Sequence, residues 1–341
     1  MRRCLELAAL GVGYVSPNPM VGAVVVMDNI IIGEGYHHKY GEAHAEVNAI
    51  NQVISNFSDW ADLLDQSTLY VSLEPCAHYG KTPPCADLII KHKIPKVVVG
   101  CRDPFEAVNG KGIEKLLDAG IDVTTGILEK ECQWLNRRFF TRVQKRRPYV
   151  ILKWAQTQDG FFAPPDHLQL WITGPESRRL VHRWRSEEDA VLVGKTTAAI
   201  DNPQLNVRYA KGRNPRRVVI DRKLELNKKL NLFDQSVETL VFNEIKTDVN
   251  SQIKYISLED FDRYVPQYIL YQLYLQDIQS VIIEGGAHTL NSFIEAGLWD
   301  EARIFTGPAE LEKGIRPPEI NGIAAGEFFI GKDKLIILLK H

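Results

Sequence analysis

Gly41-Glu42-Ala43-His44-Ala45-Glu46, answered further along by Pro75-Cys76-Ala77-His78-Tyr79-Gly80-Lys81-Thr82-Pro83-Pro84-Cys85, decides how the first half of this chain reads. One imidazole (His44) and two thiols (Cys76, Cys85) make a three-ligand zinc set, and three protein ligands leave the fourth tetrahedral position open for water. A closed structural site would need a fourth protein ligand. Glu46, two residues past His44, is near enough to handle a proton of that water without binding the metal itself. Zinc lowers the pKa of its water, so a nucleophile is available near neutral pH.

The flanking sequence fits that chemistry. Thr68-Leu69-Tyr70-Val71-Ser72-Leu73 reads as a strand, ended by Glu74-Pro75 just ahead of Cys76. Residues 43–54 read as a helix with His44 and Glu46 in its first turn, where the helix dipole favours anionic groups such as a thiolate. The bland alternative, a surface histidine and two buried apolar cysteines, does not account for this framing. His-x-Glu followed by Pro-Cys and a second cysteine is the zinc-deaminase pattern, in which water attacks an amino-bearing ring carbon.

The whole chain sets limits on that reading. Its 341 residues suffice for two domains with a core each. A hydrophobic share of 45% and a charged share of 25% are ordinary for a globular protein. The formal charge of −2 gives no basic field for nucleic acid. The local basic runs Arg137-Arg138 and Lys145-Arg146-Arg147 read as a solvated helix face and a linker. Five cysteines without a framework spacing, two of them claimed by the metal, suit a reducing cytoplasm; Cys4, Cys101 and Cys132 read as packing residues. Arg2-Arg3 precedes a mildly apolar run, but Glu6 interrupts it and Ser16-Pro17-Asn18-Pro19 follows without a cleavage site. No apolar stretch reaches membrane-spanning length, so a cytoplasmic protein is expected.

Residues 2–10 read as an amphipathic helix stopped by Gly11 and Gly13, and residues 20–27 and 29–34 as strands joined at Asp28-Asn29. Beyond Cys85, helices at 86–92, 112–119 and 129–142 alternate with strands at 96–101 and 121–125, which implies an α/β sandwich. Asn18 sits in a proline-stiffened loop, where its amide can donate and accept toward a ligand or simply make a turn. Asp103-Pro104 at a strand end leaves the same two alternatives open.

Asn18-Pro19-Met20-Val21-Gly22, Gly35-Tyr36-His37, His44-Ala45-Glu46 and the segment from Glu74 to Cys85 together make residues 1 to about 145 resemble a known family. It is the deaminase domain of the bifunctional riboflavin-biosynthesis deaminase-reductases, a cytidine-deaminase-like three-layer α/β sandwich. The wider superfamily commonly spaces its cysteines Pro-Cys-x-x-Cys. Here eight residues separate Cys76 from Cys85, and His78-x-Gly80-x-Thr82-Pro83-Pro84 between them is what the riboflavin family carries. That spacing argues against nucleoside and tRNA deaminases. The resemblance implies that His44, Cys76 and Cys85 bind zinc and that Glu46 is the catalytic proton shuttle. Asn18, His78 and Lys81 would contact a diaminopyrimidinone carrying a phosphoribosylamine.

The charged stretch 142–148, closed by Pro148, reads as a boundary between domains at 1–145 and 146–341. Strands are expected at 149–155, 190–194, 217–221, 279–284, 301–306 and 335–339, with helices at 177–185 and from Gly285-Gly286 through Ala296. This is a second α/β domain with a β-rich ending. Gly194-Lys195-Thr196 mimics the end of a phosphate-binding P-loop, but Asp189 stands where its first glycine belongs, and no G-x-G-x-x-G occurs. Gly285-Gly286 at a strand-to-helix turn lets backbone amides approach a phosphate, or merely allows close packing.

Lys153-Trp154-Ala155 with Asp159-Gly160, Trp171-Ile172-Thr173, Val193-Gly194 with Thr197, Asp201-Asn202-Pro203-x-Leu205-x-Val207-Arg208 and Glu284-Gly285-Gly286 extend the resemblance to the second half. They are similar to the family's reductase domain, which is dihydrofolate-reductase-like and uses NADPH to reduce the ribosyl group to ribityl. The resemblance implies cofactor contacts at Trp171, Thr197, Asp201, Gly285 and Gly286. It implies substrate contacts at Arg185, Leu205, Arg208 and Glu284, where guanidinium forks suit a phosphate. Gln169, Phe161 and the segment Pro164-Pro165-Asp166-His167 depart from the family pattern. A small phosphorylated pyrimidine is thus the expected partner, without nucleic acid or membrane, and a homo-oligomer is a family expectation. The alternatives are a deaminase with a degenerate second domain, a nucleic-acid deaminase, which near-neutral charge opposes, and a structural zinc module.

Overall fold

The computed structural model describes residues 1–79, 83–166 and 170–340; Lys81 and Gln169 lie outside the described residues. The chain divides into two compact units, Met1–Arg146 and Arg147–His341. No helix among the described residues is long and apolar enough to cross a membrane.

The first unit runs α1 (Arg2–Ala9), β1 (Gly22–Met27), β2 (Ile30–Tyr36), α2 (Ala45–Asn56), α3 (Trp60–Leu64), β3 (Thr68–Leu73), α4 (Cys85–Lys91), β4 (Lys96–Cys101), α5 (Lys111–Asp118), β5 (Asp122–Thr125), α6 (Glu129–Leu135) and α7 (Arg137–Lys145). Its sheet has the order β2-β1-β3-β4-β5, with β1 antiparallel to both neighbours and β3-β4-β5 parallel. Asp28 and Asn29 both take positive φ, 48° and 63°, as a two-residue hairpin turn requires. Buried Val25, Leu69, Val71, Val97 and Val99 on the strands meet Ala49, Ile50 and Val53 of α2 and Ile89 of α4 in one core. Gly33 on β2 is what lets α2 approach so closely, because a Cβ there would stand 2.5 Å from the Ala49 carbonyl oxygen. The packing of α2 and α4 on the sheet therefore holds His44, the N-cap of α2, and Cys85, the first residue of α4, at fixed places.

One expectation is corrected. The single closing helix over 129–142 is two helices, α6 and α7, broken at Asn136. The buried Asn136 amide accepts from the Met20 N–H and donates to the Met20 carbonyl, both at 2.8 Å. Pairing with a peptide more than a hundred residues away, ahead of β1, holds Asn136 off the helical path. The short helix α3 was also not expected; no long apolar period announces five residues.

In the second unit the elements are β6 (Tyr149–Thr157), α8 (Pro175–Glu187), β7 (Ala190–Gly194), α9 (Lys195–Asp201), β8 (Arg216–Ile220), β9 (Thr239–Asn243), β10 (Asp248–Asn250), β11 (Ile253–Ser257), α10 (Val265–Leu275), β12 (Ser280–Ile283), α11 (Ala287–Glu295), β13 (Glu301–Gly307), β14 (Ile323–Ile330) and β15 (Asp333–Leu339). The sheet order is β10-β11-β9-β8-β7-β12-β6-β13-β15-β14. Strands β11 through β13 in that order are parallel, and β10, β15 and β14 add antiparallel edges. The central strands β7 and β12 are buried at every residue, as strands covered on both faces must be. Two apolar clusters occupy those faces, one around Leu192, Ile283 and Phe293, the other around Val191, Ile282 and Phe305. The carboxyl ends of β7 and β12 lie side by side: the Glu284 N–H donates to the Leu192 carbonyl at 2.9 Å. In open α/β sheets this end of the strands is where ligands bind.

Candidate active sites

His44 is the N-cap of α2, Cys76 follows β3, and Cys85 opens α4. The His44 Nδ1 and the two Sγ atoms lie within 4.8 Å of one another. Nδ1 stands 3.3 Å from the Cys85 sulfur and 3.7 Å from the Cys76 sulfur, and the Cys85 backbone N–H donates to Cys76 Sγ at 3.3 Å. The Cys85 hydrogen bond, helped by His44, holds the Cys76 thiol well below the usual thiol range against its burial, and the same contact pushes Cys85 up. Two soft sulfurs and one imidazole nitrogen, converging with one sulfur already inclined to ionise, fit zinc with a position left over.

Glu46 lies in the first turn of α2 and is 3% exposed. Burial pushes its carboxyl up to about 7, against the attraction of His44. Such an acid exchanges protons readily at neutral pH. Asn18 presents its Nδ2 3.1 Å from His37 Nε2, while His78 is exposed and meets the Phe105 ring edge-on at 6.1 Å.

Glu74 was read only as a strand stop, and the structure gives it more to do. Its buried carboxylate accepts from the backbone N–H groups of Asp103, Gly110, Gly112 and Ile113 at 3.2, 3.0, 3.0 and 3.4 Å. This ties the segment leading into Cys76 to the start of α5. Glu74→Ala strands those donors and is expected to cost about 2–3 kcal/mol, with weaker zinc retention; urea unfolding and metal content after dialysis check it.

In the second unit, Arg185 on α8 forks onto Glu284 at the end of β12, with N–O distances of 2.8 and 2.7 Å and side chains only 11% and 8% exposed. Burial opposes ionisation of Glu284, but Arg185, aided by Lys153, overcomes it and holds the carboxyl at about 2. Lys153 is drawn in too, its ammonium pKa lowered by burial despite Glu284. His182 accepts the Arg208 backbone N–H on Nδ1 at 3.1 Å; burial, then the Arg185 and Arg208 charges, lower it to about 4. Leu205 is buried with φ 47°, and the exposed Arg208 fork rests on Gln204 and Asn206.

The Gly285-Gly286 turn leads into α11, and Thr197 Oγ1 accepts the Gly286 N–H at 2.8 Å, so two residues expected at the cofactor meet. Trp171, 63% exposed beneath the Arg178 guanidinium, and Asp201, closing α9, stand outside these groups. Phe161, one of the departures, packs as a buried residue under Arg316 with its N–H on Thr157 Oγ1. Sequence reasoning assigned no role to Lys153 or His182. A lone lysine in the apolar run Tyr149-Val150-Ile151-Leu152-Lys153-Trp154 was the available signal for the first.

Both units match known families. Residues 1–101 match the cytidine and deoxycytidylate deaminase zinc-binding region, and residues 148–317 match the RibD C-terminal domain. The riboflavin biosynthesis protein RibD of Aquifex aeolicus is 39% identical over 92% of this chain and 88% of its own. That of Bacillus amyloliquefaciens is 40% identical over 94% and 87%. The crystal structure of a diaminohydroxyphosphoribosylaminopyrimidine deaminase/5-amino-6-(5-phosphoribosylamino)uracil reductase from Thermotoga maritima is similar at a TM-score of 0.91 and 38% identity, covering 100% of this chain and 97% of that one. This chain belongs to the RibD family of riboflavin biosynthesis proteins and is an enzyme with a zinc-dependent deaminase domain and an NADPH-dependent reductase domain.

Proposed function

We propose that the two units perform consecutive steps on one phosphorylated pyrimidine. Residues 1–145 would remove the amino group of 2,5-diamino-6-(5-phosphoribosylamino)pyrimidin-4-one by hydrolysis, and residues 146–341 would reduce the ribosyl group of the product to ribityl. The observation that carries this reading is the convergence of His44, Cys76 and Cys85 beside buried Glu46 in a chain that continues into a reductase.

His44, Cys76 and Cys85 hold zinc, whose Lewis acidity makes water reactive near neutral pH. Glu46 takes a proton as water adds to the ring carbon and gives one to the departing amine, so ammonia leaves and a ring carbonyl remains. A carboxyl near 7 is matched to both transfers. Asn18, His78 and Lys81 contact the substrate. In the reductase unit NADPH supplies the hydride. Trp171, Thr197, Asp201, Gly285 and Gly286 contact that cofactor; the Gly285-Gly286 turn leads into the N-terminus of α11, where an anionic group is favoured. Arg185, Leu205, Arg208 and Glu284 contact the substrate. The Arg208 fork, which rests on the neutral amides of Gln204 and Asn206, is suited to a phosphate, and Arg185 keeps Glu284 ionised.

A reducing cytoplasm suits the two ligand thiols. The exposed edge strand β14, with Phe329 74% exposed, supports a homo-oligomer.

Incubation with a strong chelator is expected to end ammonia release from the diamino substrate, restored by added zinc. NADPH oxidation on the deaminated substrate should continue unchanged throughout. Both rates falling together would overturn the division of labour. Ammonia release without any NADPH oxidation would leave a deaminase with a silent second domain.

A further inference from the structure

We propose that His37, to which the reading above assigns nothing, is a positioning residue for the deamination: its imidazole fixes which end of the Asn18 amide faces the substrate. The inference rests on the first unit being the deaminase proposed above.

His37 follows β2 and is 2% exposed. Its Nδ1 lies 3.0 Å from the Ala43 carbonyl oxygen. A carbonyl only accepts, so Nδ1 carries the hydrogen. With its hydrogen on Nδ1, the ring has its lone pair on Nε2. That nitrogen lies 3.1 Å from Asn18 Nδ2 and accepts from it. An asparagine amide has a donor end and an acceptor end; with the donor end pinned on His37, Oδ1 is turned away from the imidazole. Asn18 is then an acceptor for an N–H of the ring, which an amino-bearing pyrimidine supplies.

The same imidazole stands edge-on against the His44 ring, 5.4 Å between centroids at 79°. One side chain thus links the loop bearing Asn18 to the peptide just before a metal ligand. That peptide has a second fastening: Asn48 on α2 donates to the Ala43 carbonyl at 3.4 Å and to the Tyr36 carbonyl at 2.8 Å. Loss of the imidazole therefore removes this contact to the Asn18 amide while the His44 turn stays tied.

The test compares ammonia release, zinc content and NADPH oxidation in the full-length wild type, His37→Phe, His37→Gln, Asn18→Ala and the His37→Phe/Asn18→Ala double variant. His37→Phe should lower kcat/KM for ammonia release on the order of 10²-fold, with zinc content and the reductase rate unchanged. The double variant should be no slower than the slower single one, since both remove the same contact. His37→Gln, whose amide oxygen can stand where Nε2 stands, should recover most of the rate. Effects that multiply in the double variant, or zinc lost from both His37 variants, would overturn the positioning role while leaving the deaminase reading in place. A wild type that releases no ammonia would overturn that reading, and this one with it.

Discussion

Glu46→Gln is expected to lower ammonia release by about 10²–10⁴-fold while zinc stays bound and NADPH oxidation proceeds at its usual rate. The substitution keeps the size of the side chain and one acceptor oxygen but removes the ability to carry a proton. Glu46 is suited to that task because α2 buries it while setting it in the helix's first turn, two residues from His44. Desolvation moves its pKa from an ordinary carboxyl value to about 7, so the acid and base forms are both populated at neutral pH. The donor atoms of His44, Cys76 and Cys85 are untouched, so metal analysis of the variant should match the wild type. Ammonia release within threefold of wild type would show that another group moves the proton.

Breaking the Arg185–Glu284 pair should have the largest effect on stability. Glu284→Ala leaves the Arg185 guanidinium buried without its counter-ion, at an expected cost of about 3–5 kcal/mol, and NADPH oxidation should be lost. Replacing both partners with apolar residues of similar volume, as in Arg185→Met with Glu284→Leu, is expected to recover most of the stability and none of the activity. The pH dependence has a definite sign. Glu284 titrates at about 2 in the fold against 4.5 for an unperturbed carboxyl, so its contribution is fully present above 4.5 and is lost as the pH falls from 4.5 toward 2. Urea midpoints measured across that window should fall more steeply for wild type than for Glu284→Gln. Parallel curves would mean the carboxyl is not held ionised by its neighbours.

The convergence of His44, Cys76 and Cys85 was legible in the chain because coordination chemistry demands particular residue types at characteristic separations. His44 and Glu46 share one turn, and Cys76 and Cys85 are separated by one loop. The same holds for the Asp28-Asn29 turn, where backbone geometry selects the residues locally. The closing helix was read wrongly because its break depends on Asn136 reaching Met20, a partner with no trace in the local pattern.

The sequence by itself determined the His44, Cys76 and Cys85 cluster, the acid beside it, and much of the alternation of strands and helices, all features written in neighbouring residues. Only the tertiary structure decided which charges are buried together. Parallel pairing sets Ile283 beside Leu152, so the next residues along β12 and β6, Glu284 and Lys153, end on adjoining strands, and α8 brings Arg185 over them. The carboxylate of Glu74 and the imidazole of His37 acquire their roles in the same way. Each is an ordinary polar residue in the chain, and each is committed by the distant backbone or amide groups that folding leaves within hydrogen-bonding reach, because a buried polar group must find partners wherever the fold supplies them.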